Sequence, residues 1–72
     1  MEYSNSQIRE LIGEYIHNVE DREMLQLRLI DGRTFGQIVQ IIHENGGPLY
    51  EEKTVRTRVH KGETIIFKHI PG

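Results

Sequence analysis

No cysteine occurs in these 72 residues, so neither a disulfide nor a thiolate zinc site can staple the fold. A chain of this length sits near the lower size at which an apolar core is self-sufficient. Helix packing, a partner subunit or a ligand must therefore supply the stability. No apolar run approaches the ~18 residues of a membrane span. Met1 leads into polar residues instead of a signal peptide. The expectation is one domain over 1–72, cytoplasmic and without a membrane partner. Equally missing are a serine or cysteine nucleophile beside a histidine, a phosphate-binding glycine loop and a coherent acid pair, so no enzyme activity is expected. His17, His43, His60 and His69 lack the spacing of metal ligands, and neither a metal nor another cofactor is expected.

What is present begins with an uneven charge. The net charge is -2, which argues weakly against a nucleic-acid partner, but its distribution reverses that. Residues 1–31 hold seven acids against three bases, and residues 32–72 hold six bases against four acids. Within the second part, Lys53, Arg56, Arg58 and Lys61 form a run without an acid. A local basic stripe on an otherwise acidic small domain suits a phosphate-facing surface, although it also suits a solvated helix face.

The apolar fraction of 36% is placed too regularly for a disordered chain. Ser4 can cap a first helix, Gln7 completes a capping box, and Tyr3 and Ile8 are spaced for a hydrophobic staple. Ile8, Leu11, Ile12, Tyr15, Ile16 and Val19 then recur at helical spacing as one apolar stripe. Gly13 interrupts this helix at a cost of about 1 kcal/mol against alanine, and such a glycine suits a close helix crossing. Asn18 is placed to cap a second helix with Asp21 in its first turn. Met24, Leu25, Leu27 and Leu29 supply its apolar side, and Gly32 suits the left-handed residue that ends it. Thr34 restarts the chain as a cap with Gln37 three residues on. Phe35, Ile38, Val39, Ile41 and Ile42 make the third helix strongly apolar, so it should be largely buried, and Asn45-Gly46-Gly47-Pro48 stops it. Two short helices joined this tightly usually form the scaffold of a helix-turn-helix, which presents a further helix to a DNA groove.

The last third reads two ways. As a helix, Val55, Val59, Gly62, Ile66 and Ile70 share one face, with Phe67 beside it. As strands, Val55, Thr57 and Val59 alternate with Thr54, Arg56 and Arg58, and His60-Lys61-Gly62-Glu63 turns into a second strand, 64–70. The β-branched content favours strands. The run without proline and the apolar set permit a helix.

The order Val19-Glu20-Asp21-Arg22-Glu23-Met24-Leu25-Gln26-Leu27-Arg28, then Ile30-Asp31-Gly32-Arg33-Thr34, then Gln37-Ile38-Val39 resembles the C-terminal DNA-binding region (region 4) of bacterial sigma-70-type factors. The chain is similar in particular to the short, free-standing sigma-like proteins of phages and mobile elements in Gram-positive bacteria. Those share an opening like Tyr3-Ser4-Asn5-Ser6-Gln7-Ile8-Arg9 and an ending like Val59-His60-Lys61-Gly62-Glu63 through Phe67-Lys68-His69-Ile70. The resemblance implies an all-α, four-helix helix-turn-helix domain whose last helix, from about Glu51 to Ile70, is the recognition helix. Two departures bear on the docking angle. The connection from His43 to Tyr50 is longer than the family's tight turn and lacks a serine or threonine cap, and Val39 stands where the family has a small alanine.

On this reading the function is sequence-specific transcription regulation, with double-stranded DNA as partner and the N-terminal half of the last helix in the major groove. The candidate DNA-binding residues are Lys53, Thr54, Arg56, Thr57, Arg58 and Lys61, with Arg33 and Thr34 beginning the supporting helix. Arginine can bond both acceptors of a guanine edge, and threonine can offer its methyl to thymine or its hydroxyl to a phosphate. Most contacts should be to phosphate. For Thr34, capping is the stronger reading. Glu51 and Glu52 suit a helix start better than a phosphate contact, and Tyr50 suits packing under the loop.

Two other readings compete. A winged helix would fold the tail as a C-terminal β-hairpin and read DNA with Thr34–Asn45, a segment that holds no lysine or arginine. A protein-interaction module would bind RNA polymerase or another partner, or a second copy of the chain, through Ile65-Ile66-Phe67 and Ile70. The same tail could instead close the core onto the first helix.

Overall fold

The computed structural model describes residues 4–69; Tyr3 of the expected staple and Ile70 of the apolar tail lie outside them. Four helices follow one another: α1 (Asn5–Tyr15), α2 (Val19–Leu25, running on through a single π turn, Gln26–Ile30), α3 (Phe35–Glu44) and α4 (Glu52–Lys68). No strand occurs among the described residues, and the β-hairpin wing is excluded over them.

Local chemistry sets the helix starts. Ser4 and Thr34 each accept a bond from the backbone N–H three residues on, and Gln7 and Gln37 each reach back to the cap's N–H, so both capping boxes are complete. The Asn18 side chain caps α2 by accepting from the Asp21 N–H at 3.1 Å. The helix ends are closed differently. After α3, Gly46 at φ 92° lets its own N–H reach the His43 carbonyl and the Gly47 N–H reach that of Ile42, the two bonds of a Schellman motif. After the π turn, Gly32 at φ 66° allows a wider version, with the Arg33 N–H on the Leu27 carbonyl at 2.9 Å. The end of α1 carries no base of its own, and Arg22 supplies one from α2. Its Nη2 donates to the Gly13 carbonyl at 3.0 Å and its Nε to the Ile16 carbonyl, which brings a cation to the negative end of the α1 dipole.

Every helix contributes to the core: Ile12 and Ile16 near the end of α1, Met24 and Leu25 on α2, Ile38 and Ile42 on α3, and Val55, Val59 and Ile66 on α4. The apolar stripe read along the first helix stops at Ile16. The chain turns between Ile16 and Asn18, so Val19 opens α2 facing outward and is 74% exposed. Helix α3 is less buried than its composition suggests. It packs chiefly on α4 and the π turn, and Phe35, Val39 and Ile41 remain half-buried.

The tail is helical because its apolar residues meet the core only in that register. Val55, Val59, Gly62 and Ile66 are all buried on one stripe. Burying a valine or isoleucine side chain contributes about 1.5–3 kcal/mol, whereas β-branched residues lose less than about 0.7 kcal/mol each in a helix. Packing wins over propensity. The close crossing lies at Gly62 on α4, where a β-carbon would stand 2.5 Å from Cδ1 of Leu25. Gly13 has open space around it instead, with nothing among the described residues within 4 Å of a β-carbon there. Ile66 is fully buried and Ile65 half-buried against the core, so much of the tail closes the four-helix packing. None of the described helices is long and apolar enough to cross a membrane.

Candidate nucleic-acid interface

The stripe Val55–Val59–Gly62–Ile66 fixes which residues of α4 face outward. Lys53, Thr57, Lys61, Thr64 and Lys68 follow one another at three- and four-residue steps, the spacing of one helix face, with His60 three residues after Thr57 on the same side, and all are exposed. Thr54 and Arg56 flank this face and are exposed too. From Lys53 to Lys68 the only acid is Glu63, which is half-buried. With side chains, a helix about 10–12 Å across matches a major groove about 12 Å wide.

Arg56 has a defined neighbour. Its guanidinium lies 5.8 Å from the centre of the Phe35 ring, and Arg28 lies 4.4 Å from the same ring, both within cation–π range. Arg28 also donates to the Arg33 carbonyl at 3.0 Å. Phe35, the first residue of α3, thus gathers Arg28 and Arg56, with Arg33 exposed close by in sequence. Arg28 was not among the sequence candidates, because it sits within an apolar run that reads as core. His60 and Lys68 were missed as well. The signal for both was the helical register of the buried stripe, which remains open while 53–70 can also be read as strands.

Three sequence candidates are occupied within the molecule. Arg58 is turned from the outward face toward the start of α2. Its Nε donates to Asp21 Oδ1 at 2.6 Å and its Nη2 to Asn18 Oδ1 at 3.3 Å, with Glu20 at 3.9 Å. Its guanidinium also stands 5.2 Å from the Tyr50 ring, whose hydroxyl donates to Glu20 at 2.7 Å. Burial alone would lower the Arg58 pKa, but the hydrogen bonds and charges of Tyr50 and Asp21 outweigh it and raise the pKa above its ordinary value. The guanidinium therefore stays charged. This network ties α4 to α2 and to the loop before it. Arg58→Met keeps the aliphatic stem and removes the fork. It is expected to cost about 1–2 kcal/mol, at the lower end of what charge-assisted bonds contribute because the pair is partly solvated. A thermal melt checks this: the midpoint should fall by about 4–8 °C per kcal/mol for a domain of this size.

Thr34 is the second. Its hydroxyl accepts from the Gln37 N–H at 3.1 Å and its own N–H donates to Gln37 Oε1 at 2.9 Å, which makes it a cap. Glu52 leans the same way: its Oε1 would be 3.2 Å from a β-carbon at Gly36. A carboxylate therefore stands at the start of α3, where the helix dipole favours a negative charge. The third is Thr57, whose hydroxyl donates to the Lys53 carbonyl at 2.9 Å. Lys53, Thr54, Arg56 and Lys61 on α4, with Arg33 beside α3, remain exposed to solvent. The start of α4 has no side-chain cap, as the missing serine or threonine implied. Comparison with protein-family models, curated proteins and solved structures returns no match.

Proposed function

We propose that this chain is a sequence-specific binder of double-stranded DNA that regulates transcription, inserting the N-terminal half of α4 into the major groove. The observation that carries the reading is the outward face of α4. Lys53, Thr57, His60, Lys61, Thr64 and Lys68 stand opposite the buried stripe, flanked by Arg56, and no exposed acid interrupts them. Lysines at 53 and 61 suit phosphates on the groove walls, and Arg56, held at the Phe35 ring, suits a guanine edge. Arg58 acts from behind: by pairing with Asp21 it fixes how α4 is presented. The regulatory role, a contact with RNA polymerase, and action in the cytoplasm of a Gram-positive host or its phage rest on the resemblance to sigma region 4.

The competing reading, a partner-binding module using the apolar tail, has less to work with. Ile66 is spent in the core and Ile65 half-spent there, which among the described residues of the tail leaves Phe67, 45% exposed. The test is selection of bound sequences from random duplexes at low salt, using the full chain. Enrichment of one motif, with Arg56→Ala relaxing the preference at one base pair, is the expected result. Retention of no duplex would remove the reading.

A further inference from the structure

We infer that Thr57 is a specificity-determining residue that reads a thymine through its methyl group, an inference that rests on the DNA-binding reading above. A threonine facing DNA has two uses: its hydroxyl can donate to a phosphate, or its methyl can pack on the thymine C5-methyl. Phosphate oxygens accept hydrogen bonds, so the first use requires a free O–H. The Thr57 O–H is already donated to the Lys53 carbonyl one turn back, an arrangement common for threonine in helices. What remains for a partner is the methyl group and the lone pairs of the oxygen, which suit a base edge and not a phosphate. Its position agrees. Thr57 lies midway between Lys53 and Lys61 on the exposed face and next to Arg56, in the half of α4 that would enter the groove. Thr64 makes the same bond, to the His60 carbonyl at 3.0 Å, but lies one to two turns further along, toward the C-terminal end of the helix.

The experiment compares the selected duplex with the same duplex carrying deoxyuridine for thymine, which removes only the methyl groups. The wild-type chain is expected to lose about fourfold in affinity for the methyl that Thr57 covers, the effect of one buried methyl-sized group. Thr57→Ser keeps the hydroxyl and deletes the methyl. It should bind the thymine duplex about fourfold more weakly and lose that share of the deoxyuridine penalty. Thr57→Val keeps the methyl and deletes the hydroxyl. It should bind within about twofold of wild type and retain the penalty. An unchanged penalty in Thr57→Ser, or a loss in Thr57→Val as large as that in Thr57→Ser, would overturn the inference while leaving DNA binding in place. A wild-type chain that binds no duplex overturns both.

Discussion

Replacing Gly62 with valine is expected to unfold the domain or come close to it. A β-carbon at this position would lie 2.5 Å and 3.0 Å from the two Cδ atoms of Leu25 and 3.1 Å from its Cγ. The whole end of that side chain would have to move, yet Leu25 is fully buried within the core that all four helices share. Overpacking of this kind costs about 1–3 kcal/mol for an added methylene, and valine adds two further methyl groups. A total of about 3 kcal/mol or more is a large part of the stability available to a small domain, about 5 kcal/mol at the low end. The melting midpoint should drop by at least about 12 °C. Alanine at the same position gains about 1 kcal/mol of helix propensity against the steric cost, so its net loss should be much smaller. Gly13→Ala is the internal control. It stands within a helix with open space around it, and should stabilise by about 0.5–1 kcal/mol. The same change at two helical glycines should therefore move stability in opposite directions. A Gly62→Val melt within about 3 °C of wild type would mean that α4 does not cross α2 at this point.

Much of the architecture was legible in the sequence because its signals are local. Ser4 with Gln7, Asn18, Thr34 with Gln37, and Gly32 each act within a few residues of themselves, and each does in the fold what its position implied. The tail was ambiguous for a physical reason. Its β-branched residues favour strands locally, and the choice was made by Leu25 and the rest of the core, which no local rule contains. The resemblance to sigma region 4 pointed to the helix. The close crossing expected at Gly13 lies at Gly62 instead, since a glycine's use as a crossing point depends on what stands opposite. The candidate site was legible as a stretch but not residue by residue. Arg58 belongs to the same basic run as Arg56, yet its partner Asp21 lies 37 residues away along the chain and claims it. Arg28 was hidden by the reverse effect, an arginine inside an apolar run that surfaces beside Phe35.

The second large effect is expected on DNA binding. Lys53→Ala, Arg56→Ala and Lys61→Ala combined should reduce affinity for the selected duplex by about 100-fold or more, since one specific arginine contact alone is worth about 1–3 kcal/mol. All three side chains are exposed, and among the described residues none takes part in a hydrogen bond or ion pair between side chains. The fold should therefore survive: surface changes of this kind usually stay within about 0.5 kcal/mol. Arg58→Met provides the contrast. It should lower stability first, and affect binding only through the placement of α4. A stability loss without a binding loss in the triple variant would reverse these roles.

Binding of the selected duplex measured between about 50 and 200 mM salt tests the central claim most directly, with wild type and the triple variant side by side. Each phosphate contact contributes about 0.9 to the slope of log affinity against log salt. If the outward face of α4 meets the DNA, the triple variant should bind more weakly and show a slope shallower by about 2, one unit for each lysine. Equal slopes and equal affinities would contradict the account, because a helix whose exposed bases can be removed without effect is not the surface that meets DNA.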